Sequence, residues 1–129
     1  MWFEHAIGKE KINFLFNNEL SLVDVGLESF YFHSYSTLRF HFICKKIPSS
    51  LPEKWNKEGF NSLSLVFNLG EILTFESKGN KVGFICTPDV VTRKDKSSIS
   101  IFNDDLIINC EAKFLTIEGI TPYIDERWD

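Results

Sequence analysis

The stretch LESFYFHSYSTLRFHFIC, residues 27–44, decides the fold. Two runs in which apolar or aromatic residues alternate with polar ones, 27–33 and 37–44, flank a short loop at 34–36, and this is the pattern of a β-hairpin. Because successive side chains of a strand point to opposite sides, each run places its apolar residues on one side. The stretch therefore predicts a hairpin with one apolar side and one polar side.

A register in which position 33 pairs with position 37 keeps the two sides of this hairpin separate. The pairs that it creates are Phe32 with Leu38 and Phe30 with Phe40 on the apolar side, and Tyr31 with Arg39 and Ser29 with His41 on the polar side. A slip of one residue would mix the two sides, so the sequence pattern favours this register over its neighbours.

After residue 60 the alternation resumes and continues towards the end of the chain. Turn signals recur about every 8–12 residues, which is typical of antiparallel architectures. We predict a single, mainly β domain over residues 1–129: an antiparallel sheet, sandwich or partly open barrel of about eight short strands, with little helix. The predicted core consists of Phe30, Phe32, Leu38, Phe40, Phe42, Leu65, Phe67, Leu73, Phe75, Phe84, Ile101 and Ile108.

Residues 45–60 interrupt the strand pattern. Pro48 and Pro52 exclude a central strand or a helix interior, and we expect a long ordered connection. Trp55 is the most informative residue within it. A tryptophan in such a connection either plugs one end of the core or serves as a hot spot for a partner. We favour the plug, because lone aromatic side chains are usually buried.

The chain lacks the sequence signatures of catalysis and of cofactor binding. It has no GxSxG, HExxH or CxxC motif and no glycine-rich phosphate loop. Cys44, Cys86 and Cys110 fall on the apolar side of predicted strands, where burial favours inert, reduced thiols. We therefore predict a protein that is not an enzyme and that holds neither a metal nor a cofactor.

Charge and hydropathy restrict the class of partner and the compartment. The formal net charge is −4 and the pI is about 5.4, whereas nucleic acids are bound by basic surfaces. The first residues do not resemble a secretion signal, and no apolar run approaches the ~20 residues that cross a membrane. We expect a cytoplasmic protein that binds neither nucleic acid nor membrane.

Residues on both sides of the connection form a pattern that runs through most of the chain. They are Leu38–Arg39–Phe40, Pro48, Pro52–Glu53–Lys54–Trp55 and Gly59–Phe60–Asn61, together with Met1–Trp2, Ile12–Asn13, Cys110, Phe114–Leu115, Ile117 and Tyr123. In this pattern the chain resembles the immunity protein 50 family of bacterial polymorphic toxin systems. The resemblance implies an antitoxin of bacterial competition, which directly binds a cognate toxin domain encoded beside it. It carries over no catalytic residue.

Two functions from different classes fit the sequence. The first is an immunity protein that neutralises its toxin by protein–protein binding. The second is a small β-barrel or sandwich that binds a lipid or another small apolar ligand in a cavity lined by Phe32, Phe40, Phe67 and Phe84. An enzyme with a dispersed site has no positive feature behind it.

For toxin binding the sequence offers two sets of candidate contact residues. Many antibacterial toxin domains are nucleases with basic clefts, so acidic residues outside the apolar strand positions would speed the encounter. These acidic residues are Asp104, Asp105, Asp125, Glu126 and Asp129. The other set is the polar side of the first hairpin, with Tyr31, Arg39 and His41. The adjacent carboxylates of Asp104 and Asp105 also suit a turn on their own account.

Overall fold

The computed structural model describes residues 2–12, 20–46 and 60–124, and these ranges contain seven antiparallel strands in one open sheet. The strands are β1 (Val25–Ser34), β2 (Thr37–Cys44), β3 (Ser62–Gly79), β4 (Phe84–Cys86), β5 (Asp89–Thr92), β6 (Ser97–Asn103) and β7 (Leu106–Tyr123). Their order across the sheet is β4-β1-β2-β3-β7-β6-β5. The prediction of a mainly β, antiparallel fold with little helix is confirmed, in the form of an open sheet rather than a closed barrel.

The predicted register of the first hairpin is confirmed over most of its length. Phe30 pairs with Phe40, Tyr31 with Arg39 and Phe32 with Leu38. Near the loop the register shifts, and Ser34 rather than His33 pairs with Thr37. The loop therefore contains two residues rather than the three expected. Its first residue, Tyr35, has a φ of 43°, and a positive φ at this position is what tight two-residue hairpin turns require.

We call the side of the sheet that carries Phe40 the inner face and the opposite side the outer face. The two longest strands, β3 and β7, pair along 18 residues each, and their register shifts twice, between Val66 and Phe67 and between Ile72 and Thr74. Such bulges bend a strand pair. The inner face consequently curves over itself, and Phe75 on β3 lies with its ring 5.5 Å from that of Phe32 on β1.

The N-terminal residues 2–12 cover part of the inner face. The Trp2 ring lies 5.4 Å from the Phe67 ring, between centroids. The Thr92 hydroxyl of β5 donates a 2.6 Å hydrogen bond to the Trp2 carbonyl, and the backbone of Ile7 pairs with β7 around Thr116. This segment thus closes the core and ties β5 to the middle of the sheet.

Most of the predicted core is buried in one continuous hydrophobic cluster. Seven of its members have no exposed surface: Leu38, Phe40, Phe42, Leu65, Phe67, Ile101 and Ile108. Phe30, Phe75 and Phe84 are partly buried and pack against the cluster. The alternating pattern therefore identified the inner face correctly at these positions.

Two predicted core residues are wrong, because Phe32 is 52% exposed and Leu73 is 51% exposed. Leu73 lies at the second register shift of β3, shortly after Glu71, whose φ is 54°. Leu73 is the extra residue of this bulge and is exposed, whereas Ile72 before it and Phe75 after it pack against the core. Phe32 lies at the end of β1, where its ring meets only the edge of Phe75.

Candidate functional site

The cysteines are buried, as predicted, and their thiols are weak nucleophiles. Cys44, Cys86 and Cys110 are all free and buried. Burial raises the pKa of the Cys86 thiol to about 11 and that of the Cys110 thiol to about 12, and it also raises the pKa of Cys44. Since the thiolate is the nucleophile, these groups react slowly near neutral pH.

The described ranges also give no sign of a metal centre or of a membrane-spanning helix. Within residues 2–12, 20–46 and 60–124, no group of three His, Cys, Asp or Glu residues is placed to hold a metal ion. No helix in these ranges is long and apolar enough to cross a membrane.

Of the four phenylalanines proposed to line a ligand cavity, Phe40, Phe67 and Phe84 pack into or against the core and Phe32 is 52% exposed. Phe40 and Phe67 are fully buried, and each has its ring within 6 Å of the Phe42 ring. The two hollows that stand out in the described part of the chain lie on the outer face, and none of the four phenylalanines lines them. The positions of these side chains therefore do not support the hypothesis that the chain binds an apolar ligand.

The first candidate surface is the hairpin face, which we define as the outward side chains Tyr31, His33, Arg39 and His41. The structure brings the predicted residues Tyr31, Arg39 and His41 together on adjacent strands. Arg39 Nε donates a 2.9 Å hydrogen bond to Asn68 Oδ1 of β3. Asn68 Nδ2 in turn donates a 3.2 Å bond to Glu118 Oε2 of β7, so the amide bridges the two charges.

His41 on this face is also held by neighbours within the chain. Its Nε2 lies 2.7 Å from the Ser64 hydroxyl, and its ring meets the edge of Tyr123 at 6.3 Å. Burial lowers the pKa of His41, against the smaller opposing effect of the Glu28 carboxylate. Arg39 Nε and His41 Nε2 are thus each hydrogen-bonded within the chain.

The second candidate surface is the distal face. We define it as the outward side chains of residues 74–78 of β3, 107–111 of β7 and 98–102 of β6. Three cross-strand rows form it: Thr74–Glu111–Ser98, Glu76–Asn109–Ser100 and Lys78–Ile107–Phe102. The third row carries an apolar pair in an outward position. Phe102 is 70% exposed and its cross-strand partner Ile107 is 40% exposed.

A hollow of about 400 Å³ lies beside this apolar pair, over the first two rows of the distal face. Short hydroxyl side chains line it, and they leave room between the larger neighbours. Ser100 Oγ donates to Asn109 Oδ1 at 3.1 Å, and Thr74 Oγ1 donates to Glu111 Oε1 at 3.2 Å. Lys96 forms an ion pair with Glu111 and lowers the pKa of that carboxyl.

The acidic turn predicted from the sequence closes the β6–β7 hairpin at the end of the distal face. The Asp105 N–H donates to Asn103 Oδ1 at 2.9 Å, and the Asp105 carbonyl accepts the Asn80 N–H at 3.1 Å. A Cβ at Gly79 would lie 2.2 Å from that carbonyl oxygen, so this close approach requires glycine. Asp105 therefore shapes the turn, while Asp104 is exposed.

The acidic turn at Asp104 and Asp105 lies apart from the first hairpin. The first hairpin's loop reaches β3 at Ile72, whose N–H donates to the Ser36 carbonyl, whereas the acidic turn reaches β3 at Gly79. Seven strand residues separate these points, which corresponds to about 20 Å. Trp55, in 47–59, and Asp125, Glu126 and Asp129, in 125–129, lie outside the described residues, so their roles stay predictions.

The apolar pair of the distal face, Phe102 and Ile107, is not among the contact residues predicted from the sequence. The signal was present, because Ile99 and Ile101 alternate with Ser98 and Ser100, and this alternation assigns Phe102 to the polar side. Phe102 and its cross-strand partner Ile107 together form an exposed apolar patch, and contiguous patches of this kind mark interaction sites.

Comparison with known proteins identifies one family. A family model described as Immunity protein 50 matches residues 8–123, nearly the whole chain. No curated protein and no solved structure matches the chain. The matched range includes all seven strands, and with them both candidate surfaces.

Proposed function

We propose that this chain, which belongs to the immunity protein 50 family, neutralises a cognate bacterial toxin domain by binding it directly. The observation that carries the proposal is the match over residues 8–123. The chain then acts by covering a surface that the toxin needs, and a chemical reaction on the toxin is not required.

The shape of the sheet suits such a role. The N-terminal segment covers part of the inner face, and the outer face offers side chains from several adjacent strands. A specific interface covers roughly 800 Å² on each partner, about a tenth of the 7522 Å² surface of this chain.

We also propose that the chain acts in the cytoplasm. Its three cysteines are free, and such thiols stay reduced in that compartment. Fractionation of the producing cells tests this directly, because the chain should appear with the cytoplasmic marker and its thiols should be alkylated in full after denaturation.

Co-expression with the toxin domain encoded by the neighbouring gene tests the function. The toxin alone should arrest growth, and the chain should restore growth and co-purify with the toxin in a fixed ratio. A toxin domain from an unrelated locus serves as the control and should remain active. Growth arrest that persists, with no co-purification, would overturn the proposal.

Mass spectrometry of the toxin released from the complex separates binding from modification. An unchanged toxin mass, with activity regained after separation, is the result expected for direct binding. A permanent change in the mass would instead indicate that the chain acts as an enzyme on its target.

A further inference from the structure

We infer that the distal face is the surface that binds the toxin. The matching surface of the toxin is then an apolar hollow surrounded by basic residues. This inference rests on the proposed function and deepens it. It selects one of the two candidate surfaces and states the chemistry of the partner.

The apolar pair of the distal face is the first argument. Phe102 and Ile107 pair across β6 and β7 on the outer face, and Phe102 is the most exposed phenylalanine in the described part of the chain. Aromatic side chains, Phe included, are enriched at the cores of protein interfaces, where they fill pockets of the partner. On the hairpin face, by contrast, Arg39 and His41 already bond to neighbouring strands.

The polar hollow beside the pair is the second argument. Because Asn109 uses its oxygen to accept from Ser100, its amide N–H groups remain as donors for a partner. A hollow of about 400 Å³ has room for a side chain or a loop residue of another protein. An apolar anchor next to hydrogen-bonding groups reproduces the usual anatomy of an interface, with an apolar centre and a polar rim.

Charge gives the chemistry of the partner. Two acidic residues at this end of the sheet are neutralised within the chain, Glu111 by Lys96 and Asp105 by Lys81 at 4.0 Å. These pairs contribute no net charge to the surface.

The unpaired charges nearest the apolar pair are mostly negative. Glu76, Asp89 and Asp104 are exposed and form no ion pair among the described residues, and Lys78 is the positive charge beside them. The exposed Arg93 and Lys94 lie at the opposite border of the distal face, where Arg93 lines a second hollow with Ser98 and Glu111. Asp89 belongs to this surface because it pairs with Ser100 across β5 and β6. An excess of negative charge around an apolar centre fits a basic partner, in keeping with the net charge of −4.

The test measures binding of the full chain to the toxin domain encoded beside it. Phe102→Ala should weaken the affinity by about 30-fold or more, as expected for a central anchor. Tyr31→Ala, which removes the exposed aromatic ring of the hairpin face, is the matched control and should stay within about threefold of the parent. Ile107→Thr is a second anchor variant and should also weaken binding. Thermal melting establishes that each variant is folded.

The outcomes distinguish the two proposals. If the parent chain does not bind the toxin at all, the proposed function fails. If the parent binds and Tyr31→Ala loses affinity while Phe102→Ala and Ile107→Thr do not, the function stands and this inference is overturned in favour of the hairpin face.

A charge variant tests the basic partner separately. Glu76→Gln combined with Asp104→Asn should slow association and weaken its dependence on ionic strength, since both carboxylates attract a basic surface. Glu118→Gln, on the side of the hairpin face, should leave the association rate unchanged. Equal rates for the parent and the double variant at every salt concentration would refute the basic character of the partner.

Discussion

The two hairpins β1–β2 and β6–β7 are alike on the inside and different on the outside. Both place alternate apolar residues in the common core, and both turn through two residues. Outside, Arg39 of the first hairpin is bonded to Asn68, whereas Phe102 of the second faces water. The inner faces explain the stability of the domain, and the difference between the outer faces indicates which hairpin meets a partner.

The largest expected effect separates a stability residue of one hairpin from a binding residue of the other. Phe40 is fully buried between Phe30 and Phe42, with ring centroids at 6.1 and 5.9 Å. Phe40→Ala should lower the free energy of unfolding by ~3–5 kcal/mol, while Phe102→Ala should change it by less than about 0.5 kcal/mol. Urea denaturation measures both. Similar losses of unfolding free energy for Phe40→Ala and Phe102→Ala would contradict the contrast between the hairpins.

A pair of asparagines sharpens the comparison at a smaller scale. Asn68 bridges Arg39 and Glu118 with two side-chain hydrogen bonds, whereas Asn109 on the distal face bonds only to Ser100 among the described residues. Asn68→Ala should cost about 1 kcal/mol of stability and leave toxin binding intact. Asn109→Ala should do the reverse, with weaker binding and little change in stability. Urea denaturation and toxin binding are measured on the same preparations of the two variants. Weaker binding for Asn68→Ala, or a loss of stability for Asn109→Ala, would contradict these roles.

The smallest effect concerns pH. Because burial lowers the pKa of His41 in the folded chain, the unfolded chain takes up the proton first, near its ordinary pKa of about 6.5. The contribution of His41 to stability is therefore fully present above that pH and is lost as the pH falls from there through the lowered pKa of the folded chain. His41→Gln should flatten this part of the pH dependence of the unfolding free energy. A parent chain whose stability rises on acidification from pH 7 to 6 would contradict the assignment.

The fold was predictable where alternation is uninterrupted. The pairing of Phe30 with Phe40 and the burial of Cys110 follow from a period of two, which a single sequence displays directly. Leu73 was misplaced because it is the extra residue of the bulge between Ile72 and Thr74, and nothing in the local composition marks the position of that bulge.

The candidate site was only partly predictable. Asp104 and Asp105 were identified as a turn from their residue types, and Tyr31, Arg39 and His41 were assigned to one side of a hairpin. The separation of these sets arises from the strand order, which brings β7 between β3 and β6 through contacts distant in sequence. Local patterns carry no information about such an arrangement.

Hydroxyl-radical footprinting of the chain, free and bound to its toxin domain, tests the central claim most directly. In the free chain Phe102, Tyr31 and Tyr35 are all exposed and should be oxidised. In the complex the oxidation of Phe102 and Ile107 should fall sharply, while that of Tyr31 and Tyr35 should not change. Protection of Tyr31 and Tyr35 with undiminished oxidation of Phe102 would contradict the assignment of the distal face as the toxin-binding surface.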